Sequence, residues 1–445
     1  MGDSERWRSM FESEVQIRLM EKLIKALSNS AINDYKIIEV NSESSELFYV
    51  GKKLETNRAT NLKQINVTIY VDVDNKRGSA SFVYHDYLSE EELLKLINDK
   101  IFAAKFALNQ YYEIPSKKEE KPSKNPSNFE NRNLFDIARE VGEAIFKADN
   151  YKDGFLSATE VFITRKNRRI INSRGVDVSE VTYEGYIELI PAWEKQGEET
   201  ETYNIITFSN LDKEEITREV DELLLLTKAR MDAVPFKSDK PLTVIIEDEG
   251  VPRTFSYFVN DLSYASEYQH MSRNKIGDSV QGDNIQGSKL TIDLLPSYVG
   301  ASASSSIDSD GVVLKPINIV KDGIAQNRHG SYQFGYYLKE SHPTGILPIV
   351  QVQTGDKSLD DYKKEPYLRC VKFSAFQLEA NSGYFGGEVR LGFYFDGEKE
   401  IPVTGFSIAG SLHELKGNIV VSKEKIVSSR YVGPKYLFVK GMSIV

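Results

Sequence analysis

The chain has 445 residues, 40% of them hydrophobic and 27% charged, which suits a globular protein with a sizeable core divided into two or three domains. A formal net charge of -10 argues against a general phosphate-binding surface, so no nucleic-acid partner is expected. The single cysteine, Cys370, excludes an intrachain disulfide and a cysteine-rich zinc site. No apolar run approaches the ~18 residues needed to span a bilayer, and the opening MGDSERWRSMFESE lacks a signal-peptide core, so a cytoplasmic protein without a membrane partner is expected.

In chain order, Phe11, Val15, Leu19, Leu23 and Leu27, with Met20 and Ile24 alongside, predict an amphipathic helix over about 7–27. Strand patterns at 35–40, 46–54, 64–73 and 79–84 predict an antiparallel sheet. Ser89-Glu-Glu-Glu92 is a capping box, and Leu94, Ile97, Ile101, Ala104 and Leu108 give a long helix lying across that sheet. Residues 115–133 (PSKKEEKPSKNPSNFENRN) have too little apolar content to offset ordering and read as a mobile loop or linker. A helix with Leu134, Ile137, Ala138, Val141, Ile145 and Phe146 on one stripe follows.

Asp149 to Glu160 aligns with a calcium loop at its first, fifth, sixth and twelfth positions, but Tyr151 occupies the third, and the residues after Glu160 alternate like a strand where such a loop needs a helix. A turn into a strand is the better reading. The basic stretch Arg165 to Arg174 (RKNRRIINSR) reads as the charged edge of a solvated strand. Asp212-Lys-Glu-Glu215 caps a helix burying Ile216, Val220, Leu223 and Leu224, and the first domain is expected to span 1–236.

The second domain, 237–445, begins with a strand at 242–248, a helix over 255–270 and a loop at 272–287. Turn signals at Asp310-Gly311, Asp322-Gly323, Gly355-Asp356, Asp396-Gly397 and Gly433-Pro434 punctuate short strands and suggest a closed or strongly curved antiparallel sheet. The serine run Ser302 to Ser306 reads as a flexible turn, and Cys370 as core packing. In 381–418, Val389, Leu391, Phe393 and Phe395 share one strand face before the Asp396-Gly397 turn. A second strand over 400–408 follows, with a Ser-x-x-Glu helix start at Ser411. The fold class is therefore α+β: an N-terminal α+β domain of antiparallel sheet and long helices, and a C-terminal β-rich, barrel-like antiparallel domain.

The five histidines (His85, His270, His329, His342, His413) form no i, i+4 pair, and no nucleophile elbow, P-loop or dinucleotide fingerprint is present. Glu267 and His270, three residues apart on a predicted helix, are the candidate catalytic acid-base pair, set against the simpler reading of an exposed helical ion pair.

The order of aromatic strand, Asp396-Gly397, Ile401-Pro402-Val403, Ile408-Ala409-Gly410 and Asn418-Ile419, together with Gly355-Asp-Lys-Ser-Leu-Asp360 and Gly441-Met-Ser-Ile444, resembles the TldD/TldE (PmbA, modulator of DNA gyrase) metallopeptidase family. The metal-bearing TldD type carries a His-Glu-x-x-x-His helix, whose two imidazoles bind zinc beside a general-base Glu, and a Cys near the C-terminus. In this chain Ser266 and Met271 stand at the histidine positions, only Glu267 fits, His270 is one residue out of phase, and Val427 to Val432 occupies the cysteine segment. The resemblance is therefore to the TldE/PmbA type that lacks zinc ligands. It implies no cofactor or metal ligand in this chain, zinc in a TldD-like partner subunit, and extended peptides as substrates. An active peptidase with a divergent site, possibly a homodimer, and a non-enzymatic peptide-binding or regulatory protein remain as alternatives.

Overall fold

The computed structural model describes residues 18–238 and 240–445; the expectation for 7–17, including Phe11 and Val15, lies outside the described residues. Helix α1 (18–28) buries Met20, Leu23 and Leu27 and leads into very long strands, β1 (Asp34–Val50) and β2 (Lys53–Val73), followed by β3 (Lys76–Tyr84). The sequence patterns divide β1 in two around the polar Asn41 to Ser45 and run the second piece through the turn at Gly51. The strand is instead continuous, because β2 and β5 (Gly154–Asn172) pair with it along its length and satisfy its backbone whatever its side chains. Between β2 and β3, Asp74 and Asn75 both take positive φ, as a two-residue hairpin turn of this hand requires.

Helix α2 (Glu90–Ala104) starts with the capping box at Ser89 and Glu92 and buries Leu93, Ile97, Ile101 and Ala104. The stripe starts at Leu93, not Leu94, and Leu108 belongs to the short strand β4 (Leu108–Gln110). After α3 (Leu134–Ala148), β5 and β6 (Asp177–Lys195) form a second long hairpin, completed by β7 (Glu198–Glu201), β8 (Asn204–Phe208) and α4 (Lys213–Met231), which is capped by Asp212 as expected. The sheet runs β4-β3-β2-β1-β5-β6-β7, with β8 also on β6. One face carries α1 and α2 over Ile37, Val67 and Ile69 at one end, and α3 and α4 over Leu47, Val161 and Ile187 at the other.

Strand β5 is thus central, which corrects the reading of Arg165 to Arg174 as a solvated edge. Its basic side chains meet acids on both neighbouring strands: Arg165 with Glu43, Lys166 with Glu184, Arg168 with Glu180 and Arg169 with Asp177. Cross-strand pairing of opposite charges accounts for the composition of the stretch.

The chain crosses to its second half through β9 (Val234–Pro235), which pairs with β17 (Glu400–Thr404). Strand β10 (Thr243–Ile246) precedes two helices, α5 (Gly250–Asp261) and α6 (Tyr264–Tyr268). One sheet is β11 (Ile292–Leu295), β12 (Ile317–Lys321), β13 (Ile324–Ala325), β14 (Ile349–Val352), β20 (Lys425–Val427) and β21 (Tyr431–Pro434), with α7 (Tyr332–Tyr337) beside it. The other centres on β10, β15 (Tyr367–Leu378), β16 (Tyr384–Phe395), β17 and β18 (Phe406–Ser411). Both are mainly antiparallel, and the expected curvature takes the form of two open sheets around one core, with no closed barrel. Val251, Phe255 and Phe258 of α5 fill that core between Leu368 and Val389 of one sheet and Ile292 and Val352 of the other. Cys370 is fully buried there, and burial pushes its thiol pKa up.

The Asp396 carboxylate accepts from the backbone N–H of Glu398 and Lys399, holding the expected hairpin turn, and Gly397 takes φ +109°. Gly405, at φ +75°, splits the second strand into β17 and β18, both paired with β16. The one-turn helix Leu412–Leu415 follows Ser411 without a side-chain cap bond.

One buried carboxylate gathers several of the bonds between the two halves. Glu180 accepts from Arg168 (2.6 Å), the Ser305 hydroxyl (2.8 Å), the Ser306 N–H (2.6 Å) and the Ser306 hydroxyl (3.0 Å), while Asn125 of the 115–133 segment donates at 3.2 Å. Arg168 also donates to the Ile307 carbonyl (2.5 Å), and Lys36 pairs with Asp310 (2.5 Å). The serine run is therefore a buried docking loop and not a flexible turn, with Ser306 fully buried. Removing one partner of a buried charge pair strands the other, so Glu180→Ala should lower stability by about 3–5 kcal/mol. Urea unfolding checks this, with Arg168→Ala showing a comparable loss and the double variant far less than their sum.

Candidate functional site

Two places are candidate sites: the α5-α6 junction, where the family resemblance puts metal ligands, and a cavity between the two halves of the chain. At the junction the helix predicted over 255–270 is interrupted. The buried Asp261 carboxylate accepts from the Arg273 N–H (2.7 Å) and the Asn274 amide (2.7 Å), and the Ser272 hydroxyl donates to the Asp261 carbonyl (2.8 Å). Ser263 then caps α6 by accepting from the Ser266 N–H (3.1 Å).

Ser266 donates its hydroxyl to the Asn260 carbonyl at 2.6 Å, spending it on the helix break. Glu267 lies 2.6 Å from the guanidinium of Arg328, which also donates to the Ser272 hydroxyl (3.0 Å) and the Asn274 carbonyl (3.1 Å). His270 sits beyond the end of α6 at φ +58° and is exposed, as is Met271. The three-residue spacing of Glu267 and His270 brings side chains together only on a continuing helix, and α6 stops at Tyr268. The structure thus gives Glu267 to Arg328 and no hydrogen bond joins it to the His270 ring among the described residues.

The segment 427–432 turns between β20 and β21. Ser429 accepts from the Ser302 hydroxyl (3.0 Å), and the Tyr431 ring stacks on Phe255 with centroids 5.9 Å apart. His329 is buried with Nε2 2.9 Å from the Val259 carbonyl, and burial lowers its pKa; His413 Nδ1 lies 2.9 Å from the Tyr257 hydroxyl. Among the described residues no cluster of three His, Cys, Asp or Glu is arranged to hold a metal.

The cavity, of about 860 Å³, lies between the two halves, under the 115–122 strap. Its lining is mixed: Val176 and Val178 from the N-terminal half and Val312, Val313 and Ile317 from the C-terminal half are apolar, while Lys117, Glu120, Asp177 and Lys315 bring charge. The strap is held where Asn172 donates to the Pro115 carbonyl (2.7 Å), Lys117 N–H donates to the Arg174 carbonyl (3.1 Å), and Glu120 pairs with Lys315 (2.8 Å). Further on, Asn128 exchanges bonds with the Leu211 backbone and Phe129 is buried in the helical core. This segment was expected to be a mobile loop or linker. Its few anchors are long-range partners that a local composition cannot reveal. The volume, with an apolar patch among charged residues, suits a few side chains of an extended ligand. None of Ser266, Glu267, His270 or Met271 lines it.

Behind the cavity wall, Asp308 is buried, accepts from the N–H of Asp310 (2.8 Å) and Val312 (3.0 Å), and leaves Oδ2 without a hydrogen-bond partner. Burial, with the nearby Asp310 charge, pushes its pKa up to about 6.

Residues 238–445 match the family described as PmbA/TldA metallopeptidase C-terminal domain. This part of the chain belongs to that family. The whole chain is similar in fold to TldE from Thermococcus kodakarensis (TM-score 0.76, 18% identity, covering 96% of this chain and 99% of that one). It is also similar to putative modulators of DNA gyrase from Thermotoga maritima (0.74, 17%, 96% and 99%) and Bacteroides thetaiotaomicron VPI-5482 (0.77, 16%, 96% and 98%). No curated protein matches in sequence. No helix among the described residues is long and apolar enough to cross a membrane.

A carboxyl group whose folded pKa is raised binds its proton more tightly in the native state, so stability falls as pH rises from about 4 to 6. Asp308→Asn keeps an acceptor for both N–H groups without the buried charge. It should be the more stable form at pH 7, by on the order of 2–3 kcal/mol, and should flatten that pH dependence in urea unfolding between pH 4 and 7.

Proposed function

We propose that this chain is the metal-free, TldE/PmbA-like member of a TldD/TldE-type peptidase that acts on unfolded or extended peptides beside a metal-bearing TldD-like subunit. The observation that carries this reading is the α5-α6 junction. Ser266 stands where the first histidine would be with its hydroxyl committed to Asn260, Met271 stands at the second, and Glu267 is committed to Arg328. The rest of the family framework is present around it, including the Asp396 turn and the match over 238–445.

In such a complex this chain binds and positions. Backbone pairing of an extended peptide supplies affinity with little sequence preference, and apolar side chains find room in the strap cavity. Water activation would fall to the partner.

The test is reconstitution with a TldD-like subunit, followed by cleavage of an unfolded polypeptide. Cleavage should appear on mixing and be absent from this chain alone; robust cleavage by this chain alone contradicts the proposal. Glu267→Gln, which keeps an acceptor for Arg328, should leave the mixed activity nearly unchanged. Loss of turnover with intact folding would return Glu267 to catalysis.

A further inference from the structure

The lining of the strap cavity is sorted by depth. Val176, Val178, Val312, Val313 and Ile317 are buried or half-buried, whereas Lys117, Lys118 and Lys121 of the strap and Lys315 opposite are exposed. An apolar floor thus lies beneath a mouth lined by lysines. Three acids line it as well, Glu119, Glu120 and Asp177, but two are already engaged: Asp177 by the Arg169 guanidinium (2.7 Å) and Glu120 by Lys315 (2.8 Å). Among the described residues the three strap lysines form no ion pair, and Glu119 is the one lining acid left to balance them. The mouth is therefore locally positive in a chain whose formal net charge is -10.

Glu120 shows what this mouth accepts. The Lys315 hydrogen bond, with the charges of Lys315, Lys118 and His342 adding to it, holds the Glu120 carboxyl below the ordinary glutamate pKa. The two side chains are 43% and 66% exposed, and an ion pair so open to water is weak and exchangeable. The strap thus places a carboxylate of its own where an incoming carboxylate can replace it.

We propose that the strap cavity binds acidic extended peptides, with an apolar side chain on the valine floor and a neighbouring carboxylate displacing Glu120 from Lys315 at the mouth. Successive side chains of an extended chain point to opposite sides, so a residue that enters the floor is flanked by two directed at the lysines. An apolar residue between acidic ones matches both layers. A nucleic-acid strand would match the lysines through its phosphates and leave the floor unfilled. This names a substrate class for the peptide-binding role proposed above and rests on that reading for the extended backbone.

Fluorescence anisotropy of short labelled peptides with the isolated full-length chain tests it. A peptide alternating valine with glutamate should bind several-fold more tightly than its glutamine counterpart and more tightly still than its lysine counterpart. That advantage should vanish in about 1 M salt, where the Debye length is about 3 Å. Glycine in place of valine should weaken binding several-fold. Lys315→Glu should weaken it too, whereas Glu120→Gln, which frees Lys315, should tighten it several-fold; both positions are exposed, so folding is not at stake. Equal binding of the glutamate and glutamine peptides, no binding of any peptide, unchanged affinity in Glu120→Gln, or equally tight binding of a single-stranded oligonucleotide overturns the proposal. Binding is read without cleavage, so its failure leaves the reconstitution result standing, and failed reconstitution leaves the preference for glutamate to be read.

Discussion

The buried carboxylate of Glu180 is the constraint on which the arrangement of the whole chain depends. It lies on β6, is almost completely removed from solvent, and gathers donors from three segments far apart in sequence: Asn125 just after the strap, Arg168 on β5, and Ser305 and Ser306 on the docking loop. A carboxylate in that position is tolerable only when its oxygens are fully engaged. Its requirements therefore fix where the C-terminal half meets the helix-free face of the N-terminal sheet. They also set the walls of the strap cavity, since Val176 and Val178 precede or flank Glu180 on one side and Val312 and Val313 follow the docking loop on the other.

What the sequence disclosed was whatever local chemistry decides. Ser89 with Glu92 and Asp212 cap helices where their residue types predict, and Asp396 makes its turn because its carboxylate reaches two backbone N–H groups within the same four residues. The features that escaped are those decided by distant partners. The serine run resembles a flexible turn until Glu180 is placed beneath it. RKNRRIINSR resembles an exposed edge until Glu43 and Glu180 are seen on its two neighbours. The interruption of the 255–270 helix has one local signal that could have been used, the Asp261 and Ser263 pair, both poor helix-interior residues and good caps.

The candidate site was legible in a similar, partial way. Composition and spacing alone offered Glu267 and His270. The family resemblance located the positions where zinc ligands would stand, and the structure shows what the substituted residues do there: Ser266 closes a helix break, and Glu267 neutralises Arg328 within a loop tied to Asp261. The cavity had no sequence signature, because its walls come from both halves and its strap was expected to be mobile.

The proposed role is that of a framework whose chemistry resides in a partner subunit, and the most direct measurement of that proposal is the zinc stoichiometry of the purified, isolated chain. The account predicts zinc far below one equivalent after equilibrium dialysis at micromolar free zinc, unchanged by Glu267→Gln. One tightly held equivalent, lost in the Glu267→Gln variant, would contradict it.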